Sequence, residues 1–377
     1  MTVVLVTLMV LPFPASGVQL NTAGKSAVLM DVATGTLLYE SNSQEPLAPA
    51  SVTKVMTMLL IMEAVDSGKI AMTDTVTASE TASAKGGSQI YLKVGETMTV
   101  SDMLKSIAVS SANDCACAMA EHLAGSEEAF VAQMNQRAKE LGMENTHFVN
   151  CTGLDDGENA DQHRTSARDI ALMSRELLKN HPDIKKFTTI WMDTVRNGTF
   201  GLSNTNKLIR FYPGATGLKT GFTSGAGYCL SASAQREGME LIAVVMGADT
   251  SANRNAACKQ LLDYGFANFA LIQPELPEAE PIAVKLGKSD TVSAVLGETG
   301  GLLIDKAQKA AVSMELSVQE FVTAPVSQGQ RLGTLSILAG EQVLKEIPLV
   351  AAEGVQRMTF GDLFQMVMKR AAMSKVS

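Results

Sequence analysis

Apolar positions run almost unbroken from Val55 to Val65, and Gly68 closes the run. A run of that length with no polar face predicts a helix buried on all sides. Upstream, Ala27 to Asp31 and Thr36 to Glu40 flank Ala33-Thr34-Gly35, which predicts a β-hairpin. Pro46 and Pro49 break the chain before the buried helix. Asp74 to Val100 is polar and rich in turn residues, and Lys85-Gly86-Gly87-Ser88 within it reads as a solvated surface loop. Ser101 predicts the start of a helix reaching Ala108, and a second apolar helix runs from Asp114 to Ala124. Ser110-Ser111-Ala112-Asn113 lies between them. Ser126 predicts the cap of a helix over Glu127 to Leu141, ended by Gly142. Thr146 to Val149 reads as a strand, and Cys151 to His163 as a polar loop. Ser166-Ala167-Arg168-Asp169 is a capping box opening a helix to Leu178, which gives Asp169 a structural role. Gly227 to Ala234 and Glu240 to Met246 read as strands. Asn255 to Phe269 reads as a helix, with Arg254 just before it.

The pattern changes at the two ends. Pro274 to Pro281 is a Pro/Glu-rich linker, and from Ile282 to Val350 short apolar runs are punctuated by Gly297, Gly300, Gly301, Gly329, Gly333 and Gly340. That reads as a small all-β domain. The tail carries Phe360, Leu363, Phe364, Val367 and Ala371 in a helical stripe, with Lys369, Arg370 and Lys375 near its end. It is too short and polar to span a membrane, and suits either a helix lying in the headgroup region or one packed on its own domain. Val3 to Phe13, followed by Pro14, Ala15, Ser16 and Gly17, has the length of a secretory h-region and cleavage zone. No Lys or Arg precedes Lys25, so the start reads as shortened or misassigned. The expected organisation is a signal peptide over 1–17, a catalytic domain over 18–272, a linker over 273–281, the all-β domain over 282–353 and an amphipathic helix over 354–377.

Composition narrows the class. The chain has 377 residues, 46% hydrophobic and 19% charged, enough for two domains with a sizeable core. A net charge of −8 argues against a nucleic-acid partner. The five cysteines are odd in number, and the Cys115-x-Cys117 spacing is poor for zinc, so they read as core thiols or at most one disulfide. Asp155, Asp156, Glu158 and Asp161 crowd one loop, but calcium-loop spacing is absent and a solvated loop is the reading. Neither a metal nor a cofactor is implied.

The chemistry centres on Ser51-Val52-Thr53-Lys54, at the head of the buried helix. Positions i and i+3 of a helix share a face, so Ser51 Oγ and Lys54 Nζ are expected together. A hydroxyl beside an amine, near unpaired backbone N–H groups, is what nucleophilic catalysis requires. The amine must be neutral. A free lysine titrates at about 10.4, and a base near pH 7 needs a value roughly three units lower, through burial and a second cation. The plain alternative is that Ser51 only caps the helix. Ser111 and Asn113, held between two buried helices, deliver two hydrogen-bonding groups to a cleft or merely cap a turn. Lys219-Thr220-Gly221 opens a hairpin, and Gly221 lets something approach the strand edge. Lys219 is either the second cation or a solvated strand-end lysine.

Ser51-x-x-Lys54, Ser111-x-Asn113 and Lys219-Thr220-Gly221, in that order, are the known signature of serine β-lactamases and penicillin-binding proteins. The chain most resembles the low-molecular-mass D-alanyl-D-alanine carboxypeptidases among them, over residues 25 to 270 above all. Pro49 to Thr57, Ser111 to Asp114, Asn145 to Phe148, Ser166 to Asp169 and Gly217 to Gly221 carry the likeness. The resemblance implies an α+β fold, an antiparallel sheet flanked by helices with an all-helical cluster, penicillin-binding/β-lactamase-like, followed by the small all-β domain. It implies serine acyl transfer on peptidoglycan stem peptides ending in D-Ala-D-Ala, with β-lactams as covalent inhibitors. It also implies export to the outer face of a bacterial cytoplasmic membrane. In that scheme Ser51 is the nucleophile and Lys54 its base. Ser111 and Asn113 handle protons and the substrate amide, and Lys219 supplies charge beside Ser111. Thr220 with Lys219, helped by Arg254, meets the terminal carboxylate, the backbone N–H groups of Ser51 and Phe222 form the oxyanion hole, and Gly221 is substrate-binding. Phe222 stands where some members carry His. No Glu-x-x-x-Asn-like deacylating segment is found, since Glu158-Asn159 lacks that spacing. That favours a penicillin target over a penicillin-destroying enzyme. A β-lactamase or esterase on the same scaffold, and a non-catalytic penicillin-binding protein, are the competing readings.

Overall fold

β1 (Ser26–Asp31) is buried at every position, because both of its faces are covered. The computed structural model describes residue 20 and residues 22–155, 159–278 and 280–373. The expected signal segment over 1–17 and the acidic positions Asp156 and Glu158 lie outside them. β1 pairs antiparallel with β2 (Leu37–Ser41), the expected hairpin, and on its other edge with a strand from far along the chain. β3 (Ala215–Thr223), β4 (Gly227–Arg236) and β5 (Met239–Ala248) form a meander that completes an antiparallel sheet ordered β2-β1-β5-β4-β3.

One face of the sheet, through Val28, Met30, Ile242, Val244 and Met246, joins a large helical core. At its centre lies α1 (Lys54–Asp66), the buried helix of the sequence reading. Around it pack α2 (Val100–Ser110), α3 (Asn113–Ala124), α4 (Glu127–Glu140) and α5 (Ala167–Asn180). Ser126 and Ser166 cap their helices as expected, each accepting from the backbone N–H three residues on. Thr99, not the region of Ser101, caps α2. The opposite face of the sheet carries α6 (Ser251–Asn268), which buries Leu261, Leu262 and Phe266. Gly265 lets α6 approach closely, since a Cβ there would lie 2.4 Å from Leu241 Cδ1 and 3.0 Å from Leu29 Cδ2.

Four expectations change. Ser51 lies in a 3₁₀ turn, Ala50–Thr53, that precedes α1 rather than in the α-helix itself. Arg254 falls inside the first turn of α6, not ahead of it. Thr146 to Val149 is no strand; His147 and Arg164 form an isolated bridge. The backbone of Phe148 is satisfied instead by the Asn135 side-chain amide, at 2.8 Å in both directions, so no strand partner is needed. Asp74 to Val100 includes a two-stranded ribbon, Thr75–Thr77 with Thr97–Thr99.

The chain divides between Ala267 and Asn268 into two compact units. The second is built of short strands, as expected. Phe269–Ile272 pairs with Leu302–Asp305. Ile282–Lys285 lies between Thr291–Val292 and Phe321–Thr323. Ala294–Leu296, Gln342–Ala351, Arg331–Ala339 and Val312–Val318 form its largest sheet. Its apolar residues form small clusters, one around Val322 and Leu332 and another around Leu335 and Ile347. A helix, Phe360–Met373, follows.

The close contact at Gly265 makes a prediction. Gly265→Ala overpacks the α6–sheet contact and lowers stability by about 1–3 kcal/mol. Denaturant unfolding is expected to show an earlier midpoint at unchanged slope, and an unshifted midpoint would mean that the contact has slack.

Candidate active site

A 3₁₀ turn has three residues per turn, so residues i and i+3 eclipse. Ser51 and Lys54 therefore stand one above the other, and Lys54 Nζ lies 2.9 Å from Ser51 Oγ. The turn is held from outside. Ala50 has a positive φ of 49°, unusual for a residue with a side chain. Its carbonyl accepts from Thr53 Oγ1 at 2.8 Å. The Thr53 hydroxyl in turn meets His163 Nε2 at 2.8 Å, and His163 Nδ1 accepts from the Val149 N–H at 3.1 Å. That last bond places the ring proton on Nε2, so the imidazole is neutral and used on both sides. Burial, then the charges of His147, Arg164 and Lys54, push His163 down to about 4.

Lys54 is fully buried. Desolvation lowers its pKa to about 7, against the opposing influence of Cys151 and Asp114. Moving a lysine from 10.5 to about 7 disfavours the cation by about 5 kcal/mol. Its second partner is the Thr152 carbonyl, at 2.8 Å. Holding one N–H there leaves the lone pair of the neutral amine free to take a proton from Ser51. Thr152 comes from the Cys151 to His163 stretch read as a solvated loop; its first residues, Cys151 and Thr152, are buried. The approach depends on Gly153, where a Cβ would sit 1.9 Å from the Ala50 carbonyl oxygen.

Ser111 ends α2 in the left-handed region, at φ 63°, and Asn113 begins α3. Both are buried. The Asn113 N–H donates to the Ser88 carbonyl and its Nδ2 to the Gly86 carbonyl, each at 2.7 Å. The loop read as mere surface is thus what fixes Asn113. With Nδ2 so engaged, Asn113 Oδ1 is a buried acceptor with no protein partner among the described residues. Such an acceptor favours an incoming N–H strongly.

β3 brings Lys219-Thr220-Gly221 alongside. A Cβ on Gly221 would lie 2.7 Å from the Pro49 carbonyl oxygen and 3.1 Å from Ser51 N, so only a bare backbone lets this strand pass Ser51. Lys219 is buried, and its Nζ donates to the Thr220 carbonyl at 2.9 Å. Its pKa falls well below the ordinary lysine range, through burial first and then the charges of Lys54 and Arg254. Lys219 is therefore no solvated strand-end residue. Arg254 is buried too, its Nη1 3.5 Å from the Cys229 carbonyl. Thr220 Oγ1 is 2.7 Å from the hydroxyl of Thr205, a residue the sequence reading passed over. Phe222 is half exposed and stacks on Tyr228 at 4.3 Å. A cavity of about 230 Å³ lined by Pro49, Ala50, Leu154, Asp155 and Thr223 adjoins the turn.

Among the described residues, Glu63, Glu176 and His181 bring ligand atoms within 4.8 Å of one another. Arg137 already donates to both carboxylates, at 2.7 and 2.6 Å. All five cysteines are buried and free.

Comparison with known proteins gives a consistent result. Residues 14–250 match the D-alanyl-D-alanine carboxypeptidase family model, and residues 277–357 match the C-terminal domain of penicillin-binding protein 5. The chain is 46% identical to the D-alanyl-D-alanine carboxypeptidase DacF of Bacillus subtilis, over 91% of this chain and 88% of that protein. It is 34% identical to DacC of Escherichia coli, covering 91% and 87%. The structure of penicillin-binding protein 5 from Haemophilus influenzae superposes with a TM-score of 0.73 at 30% identity, covering 89% of this chain and 98% of that one.

The lowered Lys54 fixes the pH behaviour of any reaction that uses it as a base. The second-order rate of Ser51 acylation is expected to rise with pH through about 7 and level off above, because only the neutral amine accepts the proton. His163 acts on stability instead. It protonates at 6.5 unfolded but at about 4 folded, so its contribution is full above 6.5 and lost as pH falls through 4. A pH–rate profile measured on protein shown to remain folded separates the two. A flat profile between about pH 5 and 9 would remove Lys54 as the base.

Proposed function

The chain belongs to the D-alanyl-D-alanine carboxypeptidase family and is a serine-type hydrolase of that activity, and we propose that it acts by acyl transfer through Ser51. The observation that carries this reading is the fully buried Lys54 amine, lowered to about 7, at 2.9 Å from Ser51 Oγ.

Neutral Lys54 takes the Ser51 proton as the oxygen attacks the carbonyl between the two terminal D-alanines. The developing oxyanion is met by the backbone N–H groups of Ser51 and Phe222. Asn113 Oδ1 receives the substrate amide N–H. The terminal carboxylate lies against Thr220, Lys219 and Arg254. It supplies a negative charge beside Lys219, whose cationic form burial and the charges of Lys54 and Arg254 disfavour. Burial is what keeps the Lys54 base neutral. Collapse of the tetrahedral intermediate breaks the C–N bond, and Ser111 relays a proton to the leaving D-alanine. Water then hydrolyses the ester on Ser51.

A β-lactam carries the same pairing of a reactive amide and a carboxylate. Structures of penicillin-binding protein D2 from Listeria monocytogenes with ampicillin and cefotaxime bound share this chain's fold at 31% identity. Here penicillin acylates Ser51 and leaves slowly. Mass spectrometry after penicillin treatment is expected to show one adduct, on Ser51, that outlasts many turnovers of D-alanine release from a pentapeptide. An adduct on another residue would overturn the assignment, and rapid β-lactam turnover would make the protein a β-lactamase.

The protein is further proposed to be exported and to rest on the membrane surface through the helix Phe360–Met373. Phe360, Phe364, Val367 and Met368 expose large apolar side chains on it. Among the described residues no helix is long and apolar enough to cross a membrane. The side chains of Lys369, Arg370 and Ala371, and Lys375 altogether, lie outside the described residues. Deletion of residues 359–377 is expected to move the protein from the membrane fraction to the soluble fraction with D-alanine release intact. Retention in the membrane fraction would reject this anchor.

A further inference from the structure

Glu127 opens α4, where the helix N-terminus favours a carboxylate. Its two oxygens face two different segments. Oε2 pairs with Lys85 Nζ at 2.5 Å. Oε1 accepts from the Cys151 N–H and from its thiol, each at 3.2 Å. The Cys117 thiol lies 3.9 Å from Oε2. Burial alone would raise this carboxyl, but the hydrogen bond and charge of Lys85, with the Cys151 N–H and thiol, hold it below its ordinary value. That favours its carboxylate form.

Both segments lead directly to the reacting groups. Lys85 is followed by Gly86 and, beyond Gly87, by Ser88, whose carbonyls hold the side chain and backbone of Asn113. A Cβ on Gly87 would lie 2.8 Å from Asn113 Nδ2, so this loop has little freedom around the amide. Cys151 is followed by Thr152, whose carbonyl holds Lys54 Nζ, and the Cys151 carbonyl accepts from Thr57 on α1. One carboxylate thus joins the loop that aims Asn113 to the loop that aims Lys54.

We propose that Glu127 is a positioning residue for acylation: it sets the Lys54 amine and the Asn113 amide in register about Ser51, although it touches neither. The inference rests on the reading of Ser51 and Lys54 as nucleophile and base. It assigns a purpose to a charged pair that would otherwise be a half-buried bridge of small net value. Groups held by packing alone can drift by a few tenths of an ångström. A carboxylate with bonds on both sides resists that drift, and acylation is sensitive to it.

Glu127→Gln is nearly isosteric and removes the charge, and Lys85→Met releases the other end. Acylation by a fluorescent penicillin is measured for each on protein with a confirmed thermal transition. An about tenfold fall in acylation rate is expected for each. For pentapeptide hydrolysis kcat is expected to carry the loss, with KM within about threefold. In an Asn113→Ala background the further effect of Glu127→Gln shrinks to under about threefold, because the register it maintains is already broken. An unchanged rate in both single variants overturns the inference. So does a loss that persists undiminished when Asn113 is absent, which is what a purely structural role gives. The adduct is mapped in the same samples. An adduct off Ser51 overturns the functional reading and this one with it, whereas an adduct on Ser51 formed at the wild-type rate in Glu127→Gln overturns this one alone.

Discussion

An amine with no water around it is the constraint on which the rest of the first unit depends. Lys54 has no exposed surface, and a buried ammonium without a counter-ion is strongly disfavoured. The fold accepts this by letting the group lose its proton. Its contacts are a hydroxyl and a carbonyl, Ser51 Oγ and Thr152 O, which serve a neutral amine as well as a charged one. A carboxylate in either place would have restored the cation and removed the base. The environment of Lys54 is therefore tuned as much by what it withholds as by what it supplies. This is also why the helix beginning at Lys54 has no polar face: a ring of α2, α3, α4 and α5 around it is what keeps water away.

Close approach of backbone is the second requirement, and it follows from the first. A dry site leaves no gap between its walls, so the walls must touch where a side chain would intervene. Gly221 lets β3 pass Ser51, and Gly153 lets the loop carrying Thr152 close over Ala50. Ala50 and Ser111, both at positive φ, are held in less favoured conformations at two corners of the same site. Such strain persists only where the surroundings over-determine it. The Thr53–His163–Val149 chain of hydrogen bonds provides that at Ala50.

Much of this was legible in the order of residues. The buried character of α1, the sheet hairpin, the capped helices and the β-rich second unit follow from periodicity and capping residues. The contact of Lys54 with Ser51 and the burial of Ser111, Asn113 and Lys219 match what a motif triple suggested rather than what periodicity did. What periodicity could not give are contacts made by backbone carbonyls. Thr152, Gly86 and Ser88 act through C=O groups that every residue possesses, so no residue type announces them. Gly86 to Ser88 is the exposed loop its composition suggests, whereas the other loop is buried at Cys151 and Thr152 despite its polar composition. The placement of Ser51 in a 3₁₀ turn was missed for a similar reason, since spacing by three suits both helix types. Thr205, Glu127 and His163 escaped notice because each acts on a partner far away in sequence, and a single chain carries no signal of such pairing.

The charges of the site decide which substrates it can take. Lys54, Lys219 and Arg254 are all buried, and burial first, then the basic groups Lys54 and Arg254, disfavour a charge on Lys219. The whole chain carries a net charge of −8, which taken alone would repel an anion. Repulsion between exposed charges fades within about 8 Å at physiological salt, whereas groups in a dry pocket are barely screened. The local field therefore prevails, and it favours a substrate that brings its own negative charge. A peptide extended past its second D-alanine would replace that carboxylate with a neutral amide. In the proposed binding mode that would leave Arg254 buried without the negative charge the substrate brings, which is disfavoured in a site shielded from water. Selection for a free carboxyl terminus then needs no steric wall. On the proposed mechanism it is a consequence of burying basic groups around Lys54.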